Sequence, residues 1–150
     1  MEQEDINFDK NLALFYFAYR AFSKTSDELV GKYGITKVHR RILFFVHRFP
    51  GLTIKELLIV LDISKQALNR PMQELTELGW IEKKSHETDK RSKKIYLTES
   101  GLAIDQQISQ AQNDKMKLLF KESGDPLGTN WTKVMTLYAK ETGIPLIDQI

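Results

Sequence analysis

Two short stretches of this chain carry the side chains with the most chemistry to offer. Ser64-Lys-Gln-Ala-Leu-Asn-Arg70 places a hydroxyl, two cations and two amides within seven residues, and Gln73 follows one turn after Asn69. Asn and Gln amides can bond adenine through two contacts, and Arg can do the same to guanine, in the major groove of duplex DNA. A serine opening a helix also suits a phosphate, because unpaired N–H groups and the helix dipole both point there. In the second stretch, Lys83 to Lys94, six residues are basic and two acidic. Lys90, Arg91 and Lys93 lie at or near the tip of what reads as a hairpin, too short to serve packing alone. An arginine on a narrow protrusion can enter the minor groove, where negative potential is concentrated. Asp89 would be a poor phosphate contact, so its expected role is internal: pairing with a nearby arginine or accepting backbone N–H bonds that hold the loop open. Each stretch alone has a plainer reading, a solvated helix face or a polar turn. Together, on one side of a small core, they would grip two grooves of a duplex.

The elements that must position these groups are legible from spacing and caps. Leu12, Phe15, Tyr16, Tyr19 and Phe22 recur at helical intervals and predict a first helix from about Phe8 to Leu29. A second is predicted from Lys37 to Arg48, after Thr36 and before Pro50-Gly51. Its run Ile42-Leu-Phe-Phe-Val46 has strand propensity, which the charges at 37, 40, 41 and 48 outweigh. Thr53-Ile-Lys-Glu56 is a capping box, so a third helix starts at Ile54 and ends near Leu61. Ser64 caps a fourth, with Leu68, Met72, Leu75 and Leu78 as its inner side and Gly79 as its stop. Pro71 falls inside it, cannot donate to the carbonyl of Ala67, and should bend or loosen the helix. Ile81–Lys84 and Lys93–Leu97 are short strands. Thr98 caps a fifth helix to about Lys121, with Leu102, Ile108, Met116, Leu119 and Phe120 available for burial. A sixth spans roughly Trp131 to Glu141.

The fold class is therefore mainly α with a small β-wing: a winged helix-turn-helix over about 36–98, flanked by helices over about 6–30 and 99–150, all within one domain of 150 residues. With 41% apolar and 28% charged residues, disorder is not expected. Residues 31–52 carry five basic and no acidic groups, whereas 1–30 hold six acidic against three basic and 99–150 seven against five. The basic middle could meet a polyanion while the acidic ends do something else. The chain has no cysteine, which excludes disulfides, thiol catalysis and thiolate zinc sites. Met1 to Asp9 carries four acidic side chains and no basic stretch, so no secretory leader is read. No apolar run approaches the roughly 20 residues of a bilayer span, and a cytoplasmic protein without membrane contact is expected. There is no Gly-rich phosphate loop and no nucleophile elbow, and the histidines at 39, 47 and 86 lack metal-ligand spacing. Neither an enzyme nor a cofactor or metal is expected.

The first helix shows more aromatic surface than one small domain can cover, and the tail from Ile144 to Ile150 is apolar too. Leaving both in water is unfavourable by about 25 cal/mol per Å². Pairing with a second copy hides them and sets two recognition helices about one turn of DNA apart.

The sequence resembles the MarR family of winged-helix transcriptional regulators. The resemblance rests on Asp89-Lys-Arg91 followed by Ile95-Tyr-Leu-Thr98-Glu-Ser-Gly101, on Leu78-Gly79 before the first wing strand, on the Ser64–Arg70 stretch, and on Pro50-Gly51-Leu-Thr53. It implies a homodimer on a pseudo-palindromic operator, acting as a repressor that a small aromatic or phenolic compound releases. It makes Arg91 the minor-groove arginine, Asp89 its structural partner, and residues 65–73 the major-groove readers. An effector pocket would lie between the dimerisation helices and the DNA-binding lobe, with Tyr16, Tyr19, Arg20, His39 and Phe45 as candidate lining. Arg20 or His39 could meet a carboxylate or phenolate there, although plain core packing is the favoured explanation of each aromatic. The alternative is a dimeric winged-helix adaptor between proteins, which would not need Arg91.

Overall fold

The structure, a computed structural model, describes residues 6–85 and 93–149. It comprises two compact units, 1–37 and 38–150. The first is built on helix α1, Phe8–Gly31, whose start is fixed by the Asn7 side chain accepting from the Lys10 N–H at 2.9 Å. Among the described residues of this unit, Val30 and Ile35 alone are buried. The predicted stripe of Leu12, Phe15, Tyr16, Tyr19 and Phe22 is exposed throughout.

In the second unit the order is α2 (Lys37–Arg48), β1 (Leu52–Thr53), α3 (Ile54–Leu61), α4 (Lys65–Glu77), β2 (Ile81–Ser85), β3 (Lys93–Leu97), α5 (Glu99–Ser123) and α6 (Thr129–Lys140), then a 3-10 turn over Pro145–Gln149. The Ile42–Val46 run is helical, as its flanking charges predict. Both halves of the Thr53/Glu56 capping box form. β1 is an addition to the sequence expectation. Its two residues pair antiparallel with β3 (Leu52 opposite Ile95), and β3 pairs on its other side with β2, from Ile81↔Leu97 to Ser85↔Lys93.

The core gathers Ile42, Leu43 and Val46 of α2, Leu57 of α3, Leu68, Met72 and Leu75 of α4, Ile81 and Ile95 of the sheet and Ile108 of α5. β2 contributes only Ile81, and its other four residues are exposed, whereas β3 keeps Ile95 buried opposite Lys83, so the hairpin projects beyond that pair. Leu78 departs from expectation: it is 50% exposed. It is the C-cap of α4, and the chain turns away through Gly79 at φ +73°, so the helical period that buries Leu75 ends one step too early for it. On α5 the buried residues are Gly101, Asp105, Ile108 and Ser109, whereas Met116 and Leu119 are exposed. Two of those four buried positions are polar.

Candidate nucleic-acid interface

Helix α4 is held by its apolar side and offers its polar side. Ser64 caps it, its hydroxyl oxygen accepting from the Ala67 N–H at 3.1 Å. The helix runs through Pro71 without interruption. Ser64, Lys65, Gln66, Asn69, Arg70 and Gln73 are all exposed, as their i, i+4 spacing opposite Leu68 and Met72 requires. They fall into two groups. Lys65, Asn69 and Gln73 line a cleft of about 360 Å³, together with Lys83 of β2. Arg70 instead pairs with Glu74, Nε to Oε1 at 3.2 Å, while Gln73 donates to Glu77 Oε1 at 3.3 Å. Both acidic partners sit four residues on, the neighbour spacing of a helix.

The cleft connects α4 to the wing. Lys83 and Lys84 project from β2, Lys84 pairing with Glu82 at 3.3 Å and lying over the Tyr96 ring at 5.2 Å. Lys93 opens β3 and is exposed. The predicted wing residues Asp89, Lys90 and Arg91 lie outside the described residues.

Of the candidate effector residues, Tyr16, Tyr19 and Arg20 are exposed on α1, within the first unit. In the second unit Phe45 stacks on Phe49 and meets Phe44 edge-on. His39 is buried on α2, with Nε2 3.7 Å from Glu74 Oε2 on α4.

The feature the sequence reading missed is an ionic cluster between α2 and α5. Asp105 has no exposed surface. Its Oδ1 accepts from Arg40 Nη1, and its Oδ2 accepts from Arg48 Nη1 at 2.7 Å and meets His47 Nδ1. Ser109 Oγ accepts from both guanidiniums at 2.9 Å, and Gln112 Oε1 from Arg40 Nη2 at 2.8 Å. Arg48 also lies 3.9 Å over the Phe44 ring. Burial pulls the Arg40 guanidinium below its ordinary range; the charge and hydrogen bond of Asp105 oppose that shift, and the Arg48 charge adds to it. A signal existed: Arg40, Phe44 and Arg48, and Asp105, Ser109 and Gln112, each recur at intervals that share one helix face.

Three helices, an outward-facing fourth-helix surface and a projecting two-stranded wing over a short sheet define a winged helix-turn-helix. The profile of the MarR family matches residues 33–92. The HTH-type transcriptional regulator PetP of Rhodobacter capsulatus is 30% identical over 131 residues, covering 87% of this chain and 79% of PetP. Among solved structures, a MarR family transcription regulator superposes with a TM-score of 0.78 at 23% identity, covering 91% of this chain and 90% of that one. Wild-type MarR of E. coli in its apo form gives 0.69 at 26% identity, covering 81% and 94%. The chain belongs to the MarR family, and its general function is DNA-binding transcriptional regulation. No helix among the described residues is long and apolar enough to cross a membrane, and no group of three or more His, Asp or Glu residues among them could hold a metal ion.

Proposed function

We propose that this protein is a cytoplasmic homodimer that binds a pseudo-palindromic operator in double-stranded DNA and represses transcription. Lys65, Gln66, Asn69, Arg70 and Gln73 read the major groove, Ser64 and the start of α4 meet a phosphate, and Lys90, Arg91 and Lys93 enter or flank the minor groove, with Asp89 holding the wing. The observation that carries this reading is the two-sided recognition helix. Leu68, Met72 and Leu75 anchor one side, while the other presents an amide, a guanidinium and a cleft edged by Lys65, Glu77 and Lys83 that continues onto the wing. The dimer is supported by large apolar side chains left in water, among them Tyr16 at 74% and Phe17 at 62% on α1, and Leu137 at 70% on α6. Release of the DNA by a small aromatic or phenolic compound is part of the same proposal.

Sedimentation at micromolar concentration should give twice the 17.4 kDa chain mass, and a monomer would end the dimer reading. Footprinting on genomic fragments should protect a site of inverted symmetry, about two turns of DNA long. Arg91→Ala should weaken binding to every site and reduce the salt slope by about one phosphate. If instead no fragment is selectively protected at moderate salt, and Arg91→Ala changes nothing, the chain is a winged-helix adaptor between proteins.

A further inference from the structure

Glu74 stands between two residues that the reading above keeps apart. Its Oε1 lies 3.2 Å from Nε of Arg70, four residues back on the same helix. Its Oε2 lies 3.7 Å from Nε2 of His39, on α2 beneath. The three differ sharply in exposure: the side chain of His39 is 7% exposed, that of Glu74 42% and that of Arg70 89%. They form a line from the buried layer to solvent.

An exposed i, i+4 pair alone holds an arginine weakly, because water screens it and the long side chain resists being fixed. Here the carboxylate is only partly exposed, and its other oxygen lies beside the buried His39 imidazole, within ion-pair distance but beyond hydrogen-bond reach. One edge of Glu74 therefore faces the α2 layer and the other remains for Arg70. The guanidinium approaches Glu74 through Nε. That leaves its far edge, Nη1 and Nη2, for solvent or a ligand, and those two parallel N–H donors can meet O6 and N7 of guanine together.

We infer that Glu74, set between Arg70 and the buried imidazole of His39, is a positioning residue that holds Arg70 in the orientation needed to read a guanine. This rests on the reading of Arg70 as a base contact. Glu74 does not itself touch the base; it acts through Arg70. An approaching duplex removes water from the pair and strengthens it, so the restraint matters most when the base is being read. It also gives His39 a role in DNA recognition on the α4 side of α2, beside the effector contact named from the sequence.

The test is a double-mutant cycle read out as base preference. Dissociation constants at fixed salt are measured for the best duplex selected from a random pool and for its single-base variants. Wild type, Arg70→Ala, Glu74→Ala and the double variant are compared. Arg70→Ala should lower discrimination at one G·C pair by about 5- to 150-fold. Glu74→Ala should lower discrimination at that same pair by at least about twofold, the lower edge of coupling between contacting residues. In the Arg70→Ala background, Glu74→Ala should lower it no further. Overall affinity of Glu74→Ala should hold or rise, since a negative charge near phosphates has gone. His39→Leu should reproduce the Glu74→Ala preference; should it fail to fold, the exposed Glu74→Ala still decides the matter. A uniform gain in affinity with unchanged preference would show Glu74 to be only an unfavourable charge and overturn the inference. So would a Glu74→Ala loss that persists unchanged in the Arg70→Ala background. Identical preferences for wild type and Arg70→Ala would instead refute the base contact by Arg70, and the inference with it.

Discussion

Replacing Asp105 by Asn tests the account of the cluster between α2 and α5, because the side chain keeps its volume while losing its charge and exchanging one of its two acceptor oxygens for an NH2 donor. In the folded chain this fully buried carboxylate faces two guanidiniums and an imidazole. Removing one partner of a buried ion pair costs about 3–5 kcal/mol, most of it from the charge left uncompensated. The structure says where in that range the cost should fall. The Arg48 side chain is 24% exposed and can turn to water, so the penalty concentrates on Arg40, at 6%. Ser109 and Gln112 still accept from Arg40, which draws the expected loss toward about 3 kcal/mol. Against a typical total of about 5–15 kcal/mol this is a large fraction. With a urea slope of about 1–3 kcal/mol per molar, it moves the midpoint down by about 1–3 M. Melts must be run at one protomer concentration, since a dimer's midpoint depends on it. The double variant Arg40→Met with Asp105→Leu removes the charge and its partner together, and should melt close to wild type or above it. A loss below about 1 kcal/mol for Asp105→Asn would mean that the carboxylate does not balance these cations. A double variant as unstable as the single one would refute the argument from uncompensated charge.

Two further substitutions probe backbone geometry. Gly101→Ala would by helix propensity alone stabilise α5 by about 1 kcal/mol. Its new Cβ, however, would fall 1.9 Å from the Trp80 carbonyl oxygen, which accepts from the Thr98 N–H. Thermal melting should therefore show a loss of about 1–3 kcal/mol or more, and any gain would disprove the close approach. Pro71→Ala restores a donor for the Ala67 carbonyl in a helix that is already continuous. Stability should rise, by at most about 3 kcal/mol, with base selection unchanged because Leu68, Met72 and Leu75 keep their packing. A shifted preference in a random-pool selection would show that the proline shapes the reading surface.

What the sequence determined is what neighbours along the chain decide. The limits of α2, the capping box at Thr53 and the caps at Ser64 and Thr98 all follow from interactions that span four residues or fewer. Such signals are local hydrogen bonds and local periodicity, so they survive without knowledge of the fold. The exposed side of α4 was legible for the same reason: once Leu68, Met72 and Leu75 face inward, Asn69 and Arg70 must face out. Tertiary structure alone decided partnerships between distant segments. β1 exists as a strand only because Leu52 meets Ile95. His39, a residue with several plausible roles on a helix, is directed to Glu74 by the packing of α2 beneath α4. Asp105 is buried because α5 lays that face on α2, where Arg40 and Arg48 already point. Charge and spacing state what a side chain can bind. Which partner it finds depends on which helix faces meet, and that is settled by burying apolar surface over the whole chain at once.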